Sequence, residues 1–126
     1  MEEELNMKNE TLLLYVVTTD ELTKQYSPLV LAQTAAMMDL TPMLYYLGTA
    51  LKMLKPGEAD HISLGSFPPV AEMITKTLEM NIPIYVCEAS KQMLGWETVE
   101  LIPGVKIVGA GTLNDLALDA GATMWF

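Results

Sequence analysis

Residues 11–17, Thr-Leu-Leu-Leu-Tyr-Val-Val, form an apolar run with no polar residue to break it. A strand that faces water on one side alternates apolar and polar residues. A run without alternation belongs to a strand covered on both faces, as in parallel sheets sandwiched by helices. Similar short runs recur at residues 42–48, 82–86, 105–108 and 122–126, and helical patterns lie between them. Strands alternating with helices predict an α/β fold: a three-layer α/β/α domain with a mainly parallel sheet of about five strands.

The segments between the strands carry their own punctuation. After a polar stretch at 18–26, Ser27-Pro28 reads as an N-cap followed by proline at the first helical position. The helix that follows, to about Met38, is apolar nearly all round (Leu29, Val30, Leu31, Ala32, Ala35, Ala36, Met37, Met38). A helix without a broad polar face is buried on more than one side. In so small a domain this predicts contact between subunits, and hence a homo-oligomer.

A short helix at 49–55 is stopped by Pro56-Gly57, and residues 58–67 form a loop, either a flap over the strand ends or a plain connector. Residues 68–80 are amphipathic, with Val70, Met73, Ile74 and Leu78 opposite Glu72, Lys76 and Glu79. A helix at 89–94 ends at Gly95, a suitable left-handed C-cap. Residues 96–103 connect it to the next strand. Gly109-Ala-Gly111 leads into a last helix in which Thr112 and Asp115 have capping-box spacing. The expected organisation is a flexible acidic tail over residues 1–10 and a single domain over 11–126.

Composition removes several classes of function. At 126 residues the chain is one domain long, and a domain of this size buries roughly two-thirds of its unfolded surface without a staple. Net charge is −9, and all seven basic residues are lysine. Without arginine there is no bidentate phosphate or guanine recognition, and an acidic chain repels the nucleic-acid backbone. No nucleic-acid partner is expected. No apolar run reaches the roughly 18 residues of a membrane span, and the acidic start lacks a signal core, which predicts a cytoplasmic protein with no membrane association. Hydrophobic residues make up 51% of the chain, a surplus that subunit contacts can absorb.

The only cysteine, Cys87, stands where the strand at 82–86 ends and the next helix begins. In parallel α/β domains this junction gathers ligands, and the helix dipole favours a thiolate, the nucleophilic form of cysteine. Two readings stand at this point: a reactive thiol, or a buried cysteine acting as a small hydrophobe. Lys91, one turn on, adds positive potential, whereas the adjacent Glu88 disfavours the thiolate. Backbone amides at Ala89 and Ser90, the Ser90 hydroxyl and Lys91 are the candidates for binding an anion there.

One cysteine excludes an internal disulfide and a Cys-x-x-Cys dithiol cycle. The single histidine, His61, lies in a polar loop as a solvated residue, which leaves a cysteine hydrolase without a base. With these two residues alone the chain lacks ligands for zinc. Gly109-Ala-Gly111 fails the dinucleotide fingerprint because Asn114 occupies the third glycine position. The hydroxyl-rich loop after the first strand has no glycine and carries Asp20 and Glu21, which repel a flavin phosphate. No cofactor and no metal are expected. What one accessible thiolate can do alone is accept a group and hand it on.

The stretch Ile84-Tyr-Val-Cys-Glu-Ala-Ser90 and the block Gly104-Val-Lys-Ile-Val-Gly-Ala-Gly-Thr-Leu-Asn-Asp-Leu-Ala-Leu-Asp-Ala120 resemble the DsrE/DsrF-like family of sulfur-relay proteins. Ser27-Pro-Leu-Val-Leu-Ala32 is similar to that family's first helix. The resemblance implies a compact α/β/α domain that assembles into trimers or hexamers. For members with a cysteine at this place, it implies a sulfurtransferase or sulfur carrier whose persulfide passes to a small sulfur-carrier protein. Cys87 is the one residue that carries over, as the acceptor; some members lack it and serve as non-catalytic subunits or are uncharacterised.

Overall fold

The structure, a computed structural model, describes residues 9–126. The expected tail over 1–10 falls mostly outside them, and Asn9 and Glu10 already belong to the first strand. Five strands alternate with helical segments: β1 (Asn9–Val17), α1 (Tyr26–Met37), β2 (Thr41–Tyr46), α2 (Val70–Glu79), β3 (Ile84–Cys87), α3 (Glu88–Met93), β4 (Lys106–Val108), α4 (Ala110–Asp119) and β5 (Ala120–Trp125). Short 3-10 helices at Leu22–Lys24 and Gly48–Leu54 complete the connections. The strands form one sheet in the order β4-β3-β2-β1-β5, and every pairing is parallel. The fold class is the one the apolar runs predict.

This strand order explains the layers. From β1 to β4 each crossover steps one place in the same direction, and only the last connection returns across the sheet to β5. Crossovers share one hand, so steps in one direction stack on one face and the return step covers the other. Accordingly Tyr15 and Val17 of β1, Leu44 and Tyr46 of β2, and Ile84 and Val86 of β3 pack beneath α1 and α2. The alternate side chains, Leu12, Leu14, Val16, Tyr45 and Cys87, pack with Leu113, Leu116 and Ala117 of α4.

Two helix starts differ from the sequence expectation. Ser27 is not the N-cap of α1, which begins at Tyr26 as a continuation of the preceding 3-10 turn. Gln25 already has helical angles and gives no side-chain cap. Its amide instead donates to Thr19 O and Glu21 O, both at 2.8 Å. Pro28 still sits in the first turn, where a missing N–H costs nothing. Thr112 does not open a capping box, because α4 starts two residues earlier at Ala110 with Gly109 in the cap position. Here β4 runs into the helix with one intervening residue.

Other expectations hold. Gly95 has φ +70, and the Gly95 and Trp96 amides bond to Gln92 O and Lys91 O at 3.0 and 2.8 Å, a Schellman ending for α3. The 58–67 segment is a connector. Ala59 is buried, Tyr26 donates to Pro68 O at 2.6 Å, and its ring stacks on Phe67 with centroids 5.0 Å apart. The apolar character of α1 is partly an intramolecular matter: Leu29, Ala32 and Ala35 are buried, while Leu31, Met37 and Met38 stay exposed.

Candidate functional site

Cys87 closes β3 and takes the cap position of α3, with φ −73 and ψ 117. It pairs with Val108 at the end of β4. The chain leaving β3 packs on the α1–α2 side through Leu94, Trp96 and Ile102, whereas the chain leaving β4 enters α4 on the opposite side. The two connections therefore diverge at Cys87. In parallel α/β sheets the crevice outside such a divergence is the usual place for a ligand.

Cys87 is buried, with 8% of the residue exposed. Burial pushes the thiol up. Hydrogen bonds from the Ser90 amide and hydroxyl, the Tyr45 hydroxyl and the Ala89 amide outweigh it, and the thiol lies below its ordinary value. Each of these groups favours the charged form when its proton faces the sulfur. The Ser90 hydroxyl is itself held in place, accepting from the Gly48 amide at 2.7 Å.

Gly48 is the one glycine here whose conformation bears on the site. It has φ +62, and a Cβ would stand 3.2 Å from Thr18 O. Only glycine makes this turn without strain, so the end of β2 fixes the hydroxyl that faces Cys87.

The structure brings Ala89 and Ser90 to the sulfur and takes Lys91 elsewhere. The Lys91 ammonium donates to Val99 O at 2.9 Å and the residue is almost fully buried, so it fastens the loop after α3. Trp96 does not cover the thiol; it packs against the core of the other sheet face and under the Lys55 ammonium at 5.3 Å. His61 is exposed in its loop. Among the described residues no three His, Cys, Asp or Glu side chains gather as a metal site. No helix among them is long and apolar enough to cross a membrane.

Tyr45 is the residue that sequence reasoning missed. It lies opposite Tyr85 in the β2–β3 register, and Cys87 is two residues further along the same face. Its ring is fully buried and its hydroxyl donates to Gly109 O at 3.0 Å. Burial first, then the hydrogen bond and charge of Cys87, raise its own ionisation well above the usual phenol range.

Several clefts open on the surface. One of about 390 Å³ lies beside α3, lined by Glu88, Lys91, Gln92, Glu97 and Ile107. An apolar one of about 470 Å³, with Met53, Ile74, Leu78 and Ile102 in its walls, belongs to the α1–α2 side. It has no part in the thiol's surroundings.

Fold and site together define a small parallel α/β domain that holds one hydrogen-bonded thiol where its connections diverge. Comparison with known proteins narrows that class. The DsrE/DsrF-like family model matches residues 12–126, and the chain belongs to this family.

Uncharacterized protein MJ0760 of Methanocaldococcus jannaschii is 27% identical over 118 residues, which cover 93% of this chain and 43% of that protein. The chain thus spans less than half the length of the curated relative it matches. Among solved structures, the ychN protein from E. coli superposes with a TM-score of 0.72 at 18% identity, covering 95% of this chain and 99% of that one. A protein of unknown function, MTH1491 from Methanobacterium thermoautotrophicum, gives 0.68 at 12% identity over 91% and 98%. At such identities the likeness is one of fold.

Proposed function

We propose that the protein is a sulfurtransferase or sulfur carrier that holds sulfane sulfur as a persulfide on Cys87. The observation that carries this reading is the ring of donors from Ala89, Ser90 and Tyr45 around a single thiol whose ionisation they ease. Cys87 thiolate attacks the outer sulfur of a donor persulfide, R–S–SH. A new S–S bond forms on Cys87, the donor's S–S bond breaks, and its electron pair leaves with R–S⁻, which takes up a proton. An acceptor thiolate then attacks the outer sulfur, and Cys87 leaves as the thiolate. No external oxidant or reductant enters, because the sulfur moves with its oxidation state unchanged. A small sulfur-carrier protein is the proposed acceptor, and a reducing, cytoplasmic setting suits the free thiol.

Mass spectrometry after incubation with polysulfide tests this. The wild type gains one sulfur and Cys87→Ser gains none; an unmodified wild type with several donors rejects the reading. A second reading, a non-catalytic oligomeric subunit with a packing cysteine, is favoured by the low exposure of Cys87. Alkylation by a charged reagent only after denaturation would select it.

Both readings include self-association, as a trimer or hexamer. Exposed Leu31 and Met37 on α1, Met38 just after it, and Leu118, Met124 and Trp125 on α4 and β5 support it. Light scattering at micromolar concentration should give a mass above that of one chain, and a monomer contradicts it.

A further inference from the structure

We propose that Tyr45 is a positioning residue whose hydroxyl, set between Cys87 Sγ and Gly109 O, turns its proton from the carbonyl to the sulfur when that sulfur becomes an anion, so that the state of Cys87 is felt at the start of α4. The inference deepens the reading above and rests on it only in requiring that Cys87 ionise.

The geometry is specific to this side chain. A phenol hydroxyl has one proton to give and lone pairs to receive. With that proton on Gly109 O at 3.0 Å, the oxygen can only accept from the Cys87 S–H. The resulting chain is S–H to O–H to O=C. A thiolate has no proton to give and must be met by donors, and the Ala89 amide and the Ser90 amide and hydroxyl serve in that way. They are fixed by the backbone and by the Gly48 amide. Among these donors Tyr45 is distinguished by a second acceptor, Gly109 O, to which its proton can turn, and its strong preference for the neutral form makes it a donor and not a base.

Few other charges compete. Among the described side chains, the face of β1 beside Tyr45 carries Leu12, Leu14 and Val16. The other titratable groups on the surrounding elements are Tyr85 on β3, Glu88 and Lys91 on α3, Lys106 on β4, and Asp115 and Asp119 on α4. The Lys91 ammonium is committed to Val99 O.

The receiving end is free to respond. Gly109 O keeps the Thr112 amide at 3.1 Å when the phenol leaves it. No heavy atom comes within 4 Å of a Cβ built at Gly109 or Gly111, and α4 has no buried residue along its length.

The test is Tyr45→Phe, read by the pH dependence of Cys87 alkylation with iodoacetamide. The apparent thiol pKa should rise by about one unit, a tenfold loss of thiolate at pH values below both. An unchanged profile overturns the proposal. If the variant does not fold, amide exchange at residues 110–113 of the wild type gives the same answer without it. Protection there should fall as pH is raised through the Cys87 transition, beyond the intrinsic rate increase seen in Cys87→Ser; equal behaviour of the two proteins overturns the proposal. Neither readout involves a sulfur donor, so failure of persulfide transfer would leave this result standing, and the converse also holds.

Discussion

The two faces of the sheet are built to different standards. Beneath α1 and α2, side chains from three strands, two helices and a 3-10 segment are buried together, among them Leu29, Leu44, Leu51, Ile74 and Ile84. Beneath α4, among the described residues, only Leu12, Leu14, Val16, Tyr45, Cys87 and Ala120 are buried, and the helix that covers them buries none of its own residues. The cause is topological: three crossovers step one way and one returns. The lesson is that the thick face holds the fold, while the thin face holds its only thiol and the polar groups around it.

The sharpest way to break this comparison is a matched pair of leucines, one on each covering helix. Leu29→Ala on α1, from a fully buried site, should cost about 2–5 kcal/mol. Leu116→Ala on α4, from a partly buried one, should cost about 1 kcal/mol. Urea denaturation measures both, and equal costs would erase the distinction.

Next in size is the alkaline limb. Tyr15 and Tyr46 on the thick face and Tyr45 on the thin one have raised ionisation, each through burial first. A raised group contributes stability that is complete below the unfolded value near 10 and is lost as pH climbs through the folded value. Unfolding and phenolate absorbance should therefore rise together above that pH. Cys87 has the opposite sign: its lowered ionisation contributes stability that is present above the unfolded value and lost as pH falls through the folded one. The stability difference between wild type and Cys87→Ser should accordingly grow as pH rises towards 9; a flat difference would deny the hydrogen bonds their effect.

Gly48→Ala should cost about 1–3 kcal/mol through its left-handed backbone and its approach to Thr18 O. It should also slow Cys87 alkylation by displacing the amide that holds Ser90. Smallest is Tyr46→Phe. The Tyr46 hydroxyl is fully buried without a hydrogen-bond partner among the described residues, so its removal should change stability by no more than about 1 kcal/mol and in the favourable direction.

Much of this architecture was legible in the residues, and the omissions have physical reasons. Strand runs, the amphipathic α2 and the Gly95 ending are local patterns that the tertiary structure leaves in place. The α1 start was not legible because a 3-10 turn upstream does the work that Ser27 was expected to do. Cys87, Ala89 and Ser90 are adjacent in sequence and so were found together. Tyr45 lies 42 positions before Cys87 and meets it only through the β2–β3 register. It also sits in a run so uniformly apolar that nothing marks which residue faces which side. One helical turn separates Lys91 from Cys87, a spacing that by itself predicts a partner of the thiol. Its ammonium found a carbonyl in the following loop instead.

The two rims of the sheet are also unequal. β4 is three residues long, too short a row of open amides and carbonyls to template a foreign strand, whereas β5 offers six residues with exposed Met124 and Trp125 at its end. Heat or crowding that drives chains to stack edge on edge will therefore recruit them through β5, and a lysine or proline placed along that rim is the substitution that should keep concentrated solutions clear.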